Sequence, residues 1–252
     1  MNSLSLIKKL TLREIKARYK QSFLGFFWVV LNPFFQMLIM SFVFSNILRI
    51  TNLSVPYPIF LYAGLLPWTF FSLSLTSAMG VFIENSSLIK KIYFPREVLV
   101  LSTILAKTFD FFLSLILFFV LMIYFRLPLT FSIFFFIPIF LIQFLFTYSL
   151  ALILSALNLF YRDIQYLFNL VLSLWFYATP VIYATEFFPE KYQFVFKLNP
   201  IAIVINGYRK VLLGGNLPNF FSLGLLSIIS LIFFLMVKKL FKKLEKGFAD
   251  VV

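Results

Sequence analysis

Apolar stretches of roughly 18 to 26 residues recur along this sequence between short charged breaks, and they limit the possible folds more than any other feature. A helix rises about 1.5 Å per residue, so crossing a hydrocarbon core about 30 Å thick takes about 20 residues. Inside hydrocarbon every backbone N–H and C=O needs an internal partner, which makes each stretch a helix. Six such spans fit, about residues 23–48, 57–82, 98–125, 131–157, 164–183 and 220–237. At 62% hydrophobic and 12% charged residues, with a mean hydropathy of +0.99, the chain has too little polar surface to coat a soluble globule. It reads as an all-α integral membrane protein: one six-span domain over residues 23–252, preceded by a segment of different character at 1–22. No cleavable signal is evident, because the first apolar run is itself long enough to span.

Cysteine and histidine are absent, which removes disulfides, thiolate nucleophiles, imidazole bases and the usual zinc or haem ligands. There is no G-x-x-x-x-G-K-[ST] phosphate loop and no G-x-S-x-G elbow. Among the acids only Asp110 falls well inside an expected span, three residues from Lys107, a spacing that lets the two pair on a helix. No catalytic, cofactor-binding or metal site is expected. If the chain moves something, the energy enters from a partner. The net charge of +13 sits beside the apolar runs rather than on a soluble face, so it points to membrane lipid and orientation, not to nucleic acid.

Residues 1–22 carry Lys8, Lys9, Arg13, Lys16, Arg18 and Lys20 against one acid, Glu14. On a helix Lys9, Arg13, Lys16 and Lys20 share one face, while Leu12, Ile15 and Tyr19 share another. That pattern predicts an amphipathic interfacial helix, and Thr11 with Glu14 has the spacing of a capping box that could restart it.

The break Asn85-Ser-Ser-Leu-Ile-Lys-Lys-Ile-Tyr-Phe-Pro-Arg-Glu97 predicts a short cytoplasmic helix. Ser86 or Ser87 can cap it, Lys90 and Lys91 keep it out of hydrocarbon, and Pro95 ends it and suits the start of the next helix. Span one carries Trp28, Asn32, Pro33 and Gln36, residues a plain anchor does not need; helix-helix contact and a water-filled path explain them equally well. Span two holds Pro67-Trp68, expected to break its first half, and span five holds Trp175, Tyr177 and Pro180. Residues 184–218 are too polar to span, yet rich in Phe, Tyr, Ile and Val, which suits short helices re-entering the membrane from outside. Phe is an ordinary membrane filler, but Tyr and Trp also offer flat faces with a polar edge, suited to sugar rings.

Orientation follows from the basic residues. With both termini inside, the inner side holds the basic start, Lys90, Lys91 and Arg96, Arg162, and Lys238, Lys239, Lys242, Lys243 and Lys246. The outer side keeps Arg49, Arg126, Lys191, Lys197, Arg209 and Lys210.

Arg18-Tyr-Lys-Gln-Ser-Phe-Leu-Gly-Phe-Phe-Trp-Val-Val-Leu-Asn-Pro33 resembles the start of the first span in type-two ABC exporter permeases of bacterial surface polysaccharides, most of all the O-antigen exporter membrane subunit. Tyr62-Ala-Gly-Leu-Leu-Pro-Trp-Thr-Phe-Phe71, Phe94-Pro-Arg96, Phe160-Tyr-Arg-Asp163, Asn199-Pro200 and Tyr208-Arg209 fall where that family has them, so the likeness covers essentially the whole chain. The resemblance implies a homodimer with two separate ABC ATPase subunits that hold ATP and Mg. It also implies export of an undecaprenyl-diphosphate-linked polysaccharide across the bacterial inner membrane, with a smaller drug or lipid as the alternative cargo. By the same likeness Ser87, Leu88, Ile89, Lys90, Lys91, Ile92 and Tyr93 form the coupling helix that docks on the ATPase, and 184–218 the periplasmic re-entrant helices. Arg13, Lys16, Arg18 and Lys20 attract the lipid head by charge. Trp28, Asn32, Gln36, Trp68, Trp175, Tyr177 and Tyr183 are candidates for the sugar path.

Overall fold

A computed structural model describes residues 3–19, 25, 27–47, 53–91 and 94–248, and the regular elements among them are all helical. In chain order they are α1 (Ser3–Tyr19), α2 (Phe27–Ser41, continued by a π-helical turn Phe42–Ile47), α3 (Tyr57–Glu84), α4 (Ser86–Lys91) and α5 (Glu97–Tyr124). Then follow α6 (Phe136–Phe160, after a 3₁₀ turn Phe131–Phe135), α7 (Ile164–Ala178), α8 (Glu190–Leu198), α9 (Pro200–Leu212) and α10 (Phe220–Leu244). Five helices are long and apolar enough to cross a membrane: Phe27–Ser45, Tyr57–Glu84, Glu97–Tyr124, Phe131–Phe160 and Phe220–Gly247. The chain is an integral membrane protein.

The expected fifth span appears as a helix of only 15 residues. It stops at Ala178 because Thr179 precedes Pro180, whose ring disfavours helical geometry in the residue before it, and Thr179 is extended (φ −107°, ψ 137°). The chain then turns through Pro180, Val181 and Ile182, all buried.

α3 is the axle of the bundle, packed on by α2, α5, α6, α7 and α9, while α10 lies along α6 and α1 along α5. Ile59, Leu61, Tyr62, Leu65, Phe71, Leu75 and Phe82 of α3 are wholly enclosed. Ile116, Ile123, Leu141, Ile228 and Leu235 are exposed instead, as lipid-facing apolar side chains must be.

Polar side chains tie the helices where backbone bonding needs help. Pro33 cannot donate to the Val29 carbonyl one turn back, and Ser114 of α5 supplies that donor at 3.2 Å. Pro67 does not break α3, which runs on through it. Gln143 of α6, fully buried, donates to the Pro67 carbonyl at 2.7 Å and accepts from the Tyr208 hydroxyl at 3.1 Å. Asn158, equally buried, donates to the Met79 carbonyl at 2.8 Å.

These ties define two ends. At one, the α3–α4 turn, the α6–α7 turn and the end of α10 gather around packed rings of Phe82, Phe160, Phe241 and Phe248. At the other, Tyr57 donates to the Ile182 carbonyl at 2.8 Å, and Ser132 to the Val211 carbonyl at 2.9 Å. Residues 184–218 lie at this second end as a 3₁₀ turn, α8 and α9, with most of α9 buried. Asn199 caps α9, its side-chain oxygen accepting from the backbone N–H groups of Ile201 and Ala202.

α1 departs from expectation in detail. Leu10 is the buried one among its described side chains, with Leu6 and Ile7 packed beside it against the core, and Leu12 is exposed. Thr11 does not restart the helix: α1 is continuous through it, and the Thr11 hydroxyl is buried without a partner among the described residues.

Candidate functional site

The break after α3 folds as a handle. Asn85 leaves α3 with its side-chain amide donating back to the Val81 carbonyl at 2.8 Å, while its own carbonyl accepts from Leu88 and Ile89. α4 therefore begins at Ser86, one residue earlier than expected, and is started by the Asn85 turn rather than by a serine cap. Ile89 is buried and Leu88 half-buried, which roots the helix, while Ser87, Lys90 and Lys91 are exposed. Ile92 and Tyr93 lie outside the described residues.

Two contacts from distant parts of the chain grip this handle. Arg13 of α1 donates a hydrogen bond to Oδ1 of Asn85, and a groove of about 470 Å³ runs between α1 and α4, lined by Arg13, Glu14, Glu84, Ser87, Leu88 and Lys91. On the other flank Phe94 is buried and the Arg96 backbone N–H donates to a Glu245 carboxylate oxygen at 3.0 Å. The Arg96 guanidinium donates to the Glu245 carbonyl and lies 5.5 Å from the Phe248 ring centre. Lys16 is exposed; the Arg18 side chain and Lys20 lie outside the described residues.

The path candidates fall into two groups that one chain does not bring together. Trp28, Asn32 and Gln36 follow one face of α2 at four-residue steps and open on a cleft of about 260 Å³ between α2, α3 and α5. Thr69, Lys107, Asp110 and Ser114 share it, so the charged residues of α5 face the polar stripe of α2. Trp28 is half exposed, at 52%.

The second group forms an aromatic band near the other end. Trp68 is buried against Phe71 and Phe176, with ring centres 5.8 and 5.4 Å away. Trp175 meets Phe71 edge-on at 5.3 Å, and its indole N–H donates to Asn199 at 3.1 Å. Tyr183 donates to the Tyr177 carbonyl at 2.7 Å, while the Tyr177 side chain is exposed. Within the single chain Trp68 and Trp175 spend their faces on neighbouring rings.

Residue-by-residue reading missed the hub of the far end, Arg209. Its Nη1 donates to the carbonyls of Pro180 and Tyr183, its Nη2 to Val181 and its Nε to Phe60, at 2.6, 3.4, 2.6 and 3.3 Å. The guanidinium carbon stands 3.6 Å from the Phe60 ring centre. Burial pulls the pKa of Arg209 down to about 9, against the opposite pull of Tyr57 and Glu186, so it is charged at neutral pH. Gly64 makes room for it: a Cβ there would stand 2.6 Å from Nη2. Its sequence signals were an arginine inside an apolar helix pattern and its place beside Tyr208 in the family likeness, neither of which names its partners.

Comparison with known proteins matches the ABC-2 type transporter family over residues 5–213. An O-antigen export system permease protein RfbA of Klebsiella pneumoniae is 33% identical over 249 residues, covering 98% of this chain and 95% of that protein. One of Myxococcus xanthus is 34% identical over 251 residues, with the same two coverages. The polysialic acid transport protein KpsM of Escherichia coli is 23% identical over 249 residues, 96% of this chain and 94% of its own. The family match spans every long helix except α10, the similarity to the full-length relatives takes in that helix too, and the chain belongs to the ABC-2 type transporter family.

Proposed function

We propose that this chain is the permease subunit of an ATP-driven exporter that passes an undecaprenyl-diphosphate-linked O-antigen, or a similar surface polysaccharide, across the bacterial inner membrane. The observation that carries this reading is the end-to-end similarity to proteins named O-antigen export permeases. With no phosphate loop in the sequence, ATP and Mg belong to two partner ABC ATPase subunits. α4 is the coupling helix: exposed Ser87, Lys90 and Lys91 meet the ATPase, Leu88 and Ile89 root it, and Ile92 and Tyr93 complete it. The handle end, with α1 and the lysines of α10, faces the cytoplasm, as do both termini, because it gathers most of the basic residues.

α7 with the turn after it makes a sixth crossing. Its start is held at the handle end, where the Gln165 N–H donates to Asn158, and Ile182 is held at the opposite end by Tyr57. Two copies of the chain form the pathway. Trp28, Asn32 and Gln36 offer polar groups to sugar hydroxyls there, and Trp68, Trp175, Tyr177 and Tyr183 form an aromatic band toward the outer end. Lys16, with Arg18 and Lys20, draws the lipid diphosphate to the cytoplasmic surface, and Arg13 divides its charge between that role and Asn85.

Deleting the gene and following lipid-linked polysaccharide inside the cell and at its surface tests the reading. Loss of surface polymer with long lipid-linked chains accumulating inside is expected. Unchanged surface polymer would overturn it in favour of a smaller drug or lipid cargo, and loss without internal accumulation would point to an enzyme of polymer synthesis.

A further inference from the structure

A cavity of about 600 Å³ lies at the end of the bundle opposite the handle, between residues 53–55, the 3₁₀ turn Thr185–Phe187, α8, α9 and the start of α10. Its volume is within the range of about 300–1,000 Å³ typical of small-molecule sites. Polar groups line it: Lys197, Lys210, Asn216 and Glu186 are exposed at its mouth, and Gln193 and Asn206 are half-buried. Lys197 of α8 and Lys210 of α9 have no carboxylate partner among the described residues, and the side-chain amides of Asn206 and Asn216 have no hydrogen-bond partner there either. Gln193 donates one bond, to the Phe188 carbonyl at 3.0 Å, and keeps its acceptor. Glu186 adds a carboxylate at the wall.

The floor of this cavity is rigid. Arg209 is locked beneath it by four carbonyls and the Phe60 ring. That packing fixes the backbone of α9, from which Asn206 and Lys210 project. Amides and one carboxylate match the donor and acceptor pattern of sugar hydroxyls, and two ammonium groups beside them suit an anion. A plain anion site would not place Glu186 in its wall, and the two lysines favour an anionic sugar over a neutral one.

We propose that this cavity is a binding site for a phosphorylated sugar. Lys197 and Lys210 hold the phosphate, and Asn206, Asn216, Gln193 and Glu186 hold the hydroxyls. The same chemistry is offered by a sugar carried on a lipid diphosphate and by a free sugar phosphate. The proposal deepens the export reading by giving each protomer an outward-side holding point for the sugar-phosphate end of its cargo, but its test is direct binding and does not depend on transport.

The full chain is placed in nanodiscs of phosphatidylcholine, and glucose 1-phosphate and glucose are compared by saturation-transfer NMR. Glucose 1-phosphate is expected to bind saturably and about tenfold more tightly than glucose, one charge-assisted contact being worth at least that factor. Replacing Lys197→Gln together with Lys210→Gln abolishes the preference, whereas Lys197→Arg with Lys210→Arg keeps it and shows that the fold survives. Asn206→Asp, an acid beside the phosphate, weakens glucose 1-phosphate and leaves glucose within about twofold. Repeating the measurement with a phosphatidylglycerol fraction in the nanodisc separates the two sources of phosphate: competition by that lipid assigns the site to membrane-borne phosphate, and no effect assigns it to sugar phosphate reaching it from water. Equal affinity for the two probes, or a preference that persists without both lysines, overturns the proposal. Either result would leave the export reading untouched, because that reading stands or falls on surface polymer in the deletion strain.

Discussion

Arg209 shows how one residue organises a turn that has no regular hydrogen bonding of its own. Residues 179–183 expose carbonyls that neither a helix nor hydrocarbon can satisfy, and the guanidinium fork reaches Pro180, Val181 and Tyr183 at once. Arg209→Met would orphan all of them, and we expect a loss of at least about 3 kcal/mol, read as a clear drop in the melting temperature of the purified protein in detergent. Lysine restores one donor direction out of three, so Arg209→Lys should recover only part of it. Gly64→Ala is expected to cost about 1–3 kcal/mol in the same measurement, since the new methyl meets Nη2 at 2.6 Å and the Val181 carbonyl at 2.9 Å. Neither residue stood out as structural in the sequence. A buried arginine announces itself as an anomaly in an apolar pattern, but the carbonyls it serves lie 26 to 29 and 149 positions away.

At the scale of elements, the handle is the best case of a feature readable in advance. A basic break with a proline at its end, between two spans, is a local pattern, and α4 starts there one residue before the expected position. Its supports were invisible for the opposite reason: Arg13 and Asn85 are 72 positions apart, and Arg96 and Glu245 are 149. Spacing rules see one helix at a time. Lys90→Glu with Lys91→Glu reverses two exposed charges without touching the buried Ile89. The expected outcome is a fall in surface polymer of about tenfold or more at normal protein levels, measured by gel and immunoblot. Arg13→Ala leaves the bundle's melting temperature nearly unchanged but loosens α4. Co-purification of the ATPase subunits should weaken by about fivefold, one side-chain hydrogen bond being worth about 1 kcal/mol. The same local reasoning grouped Leu12, Ile15 and Tyr19 on the apolar face of α1 but gave no sign of Leu10, which packing against α5 buries.

For the whole molecule, hydropathy alone gave the membrane class and five of the spanning helices, because a bilayer leaves so few ways to satisfy a backbone. It could not foresee that the fifth span would end as a helix at Ala178, since that depends on Pro180 and on the carbonyl ties beyond it. α7 is also the most exposed of the apolar helices, with only Leu172 buried. Tyr166, Leu170 and Tyr177 stand open on its outer face, and in the proposed dimer we expect a second copy to cover them. Because the chain has no cysteine, Tyr177→Cys is a unique reporter. A short bismaleimide should produce a band of doubled mass from native membranes, whereas Ile228→Cys on exposed α10 should not. Equal cross-linking at both positions would sink the α7 interface.

The two grips on the handle have a bearing on how the protein is made. Arg13 emerges from the ribosome early, but Glu245 follows all the long helices, so the handle can only be held from both sides once α10 has been synthesised and inserted. A partner that recognises the held form would engage finished permeases and pass over partial ones, making assembly of the exporter its own inspection step.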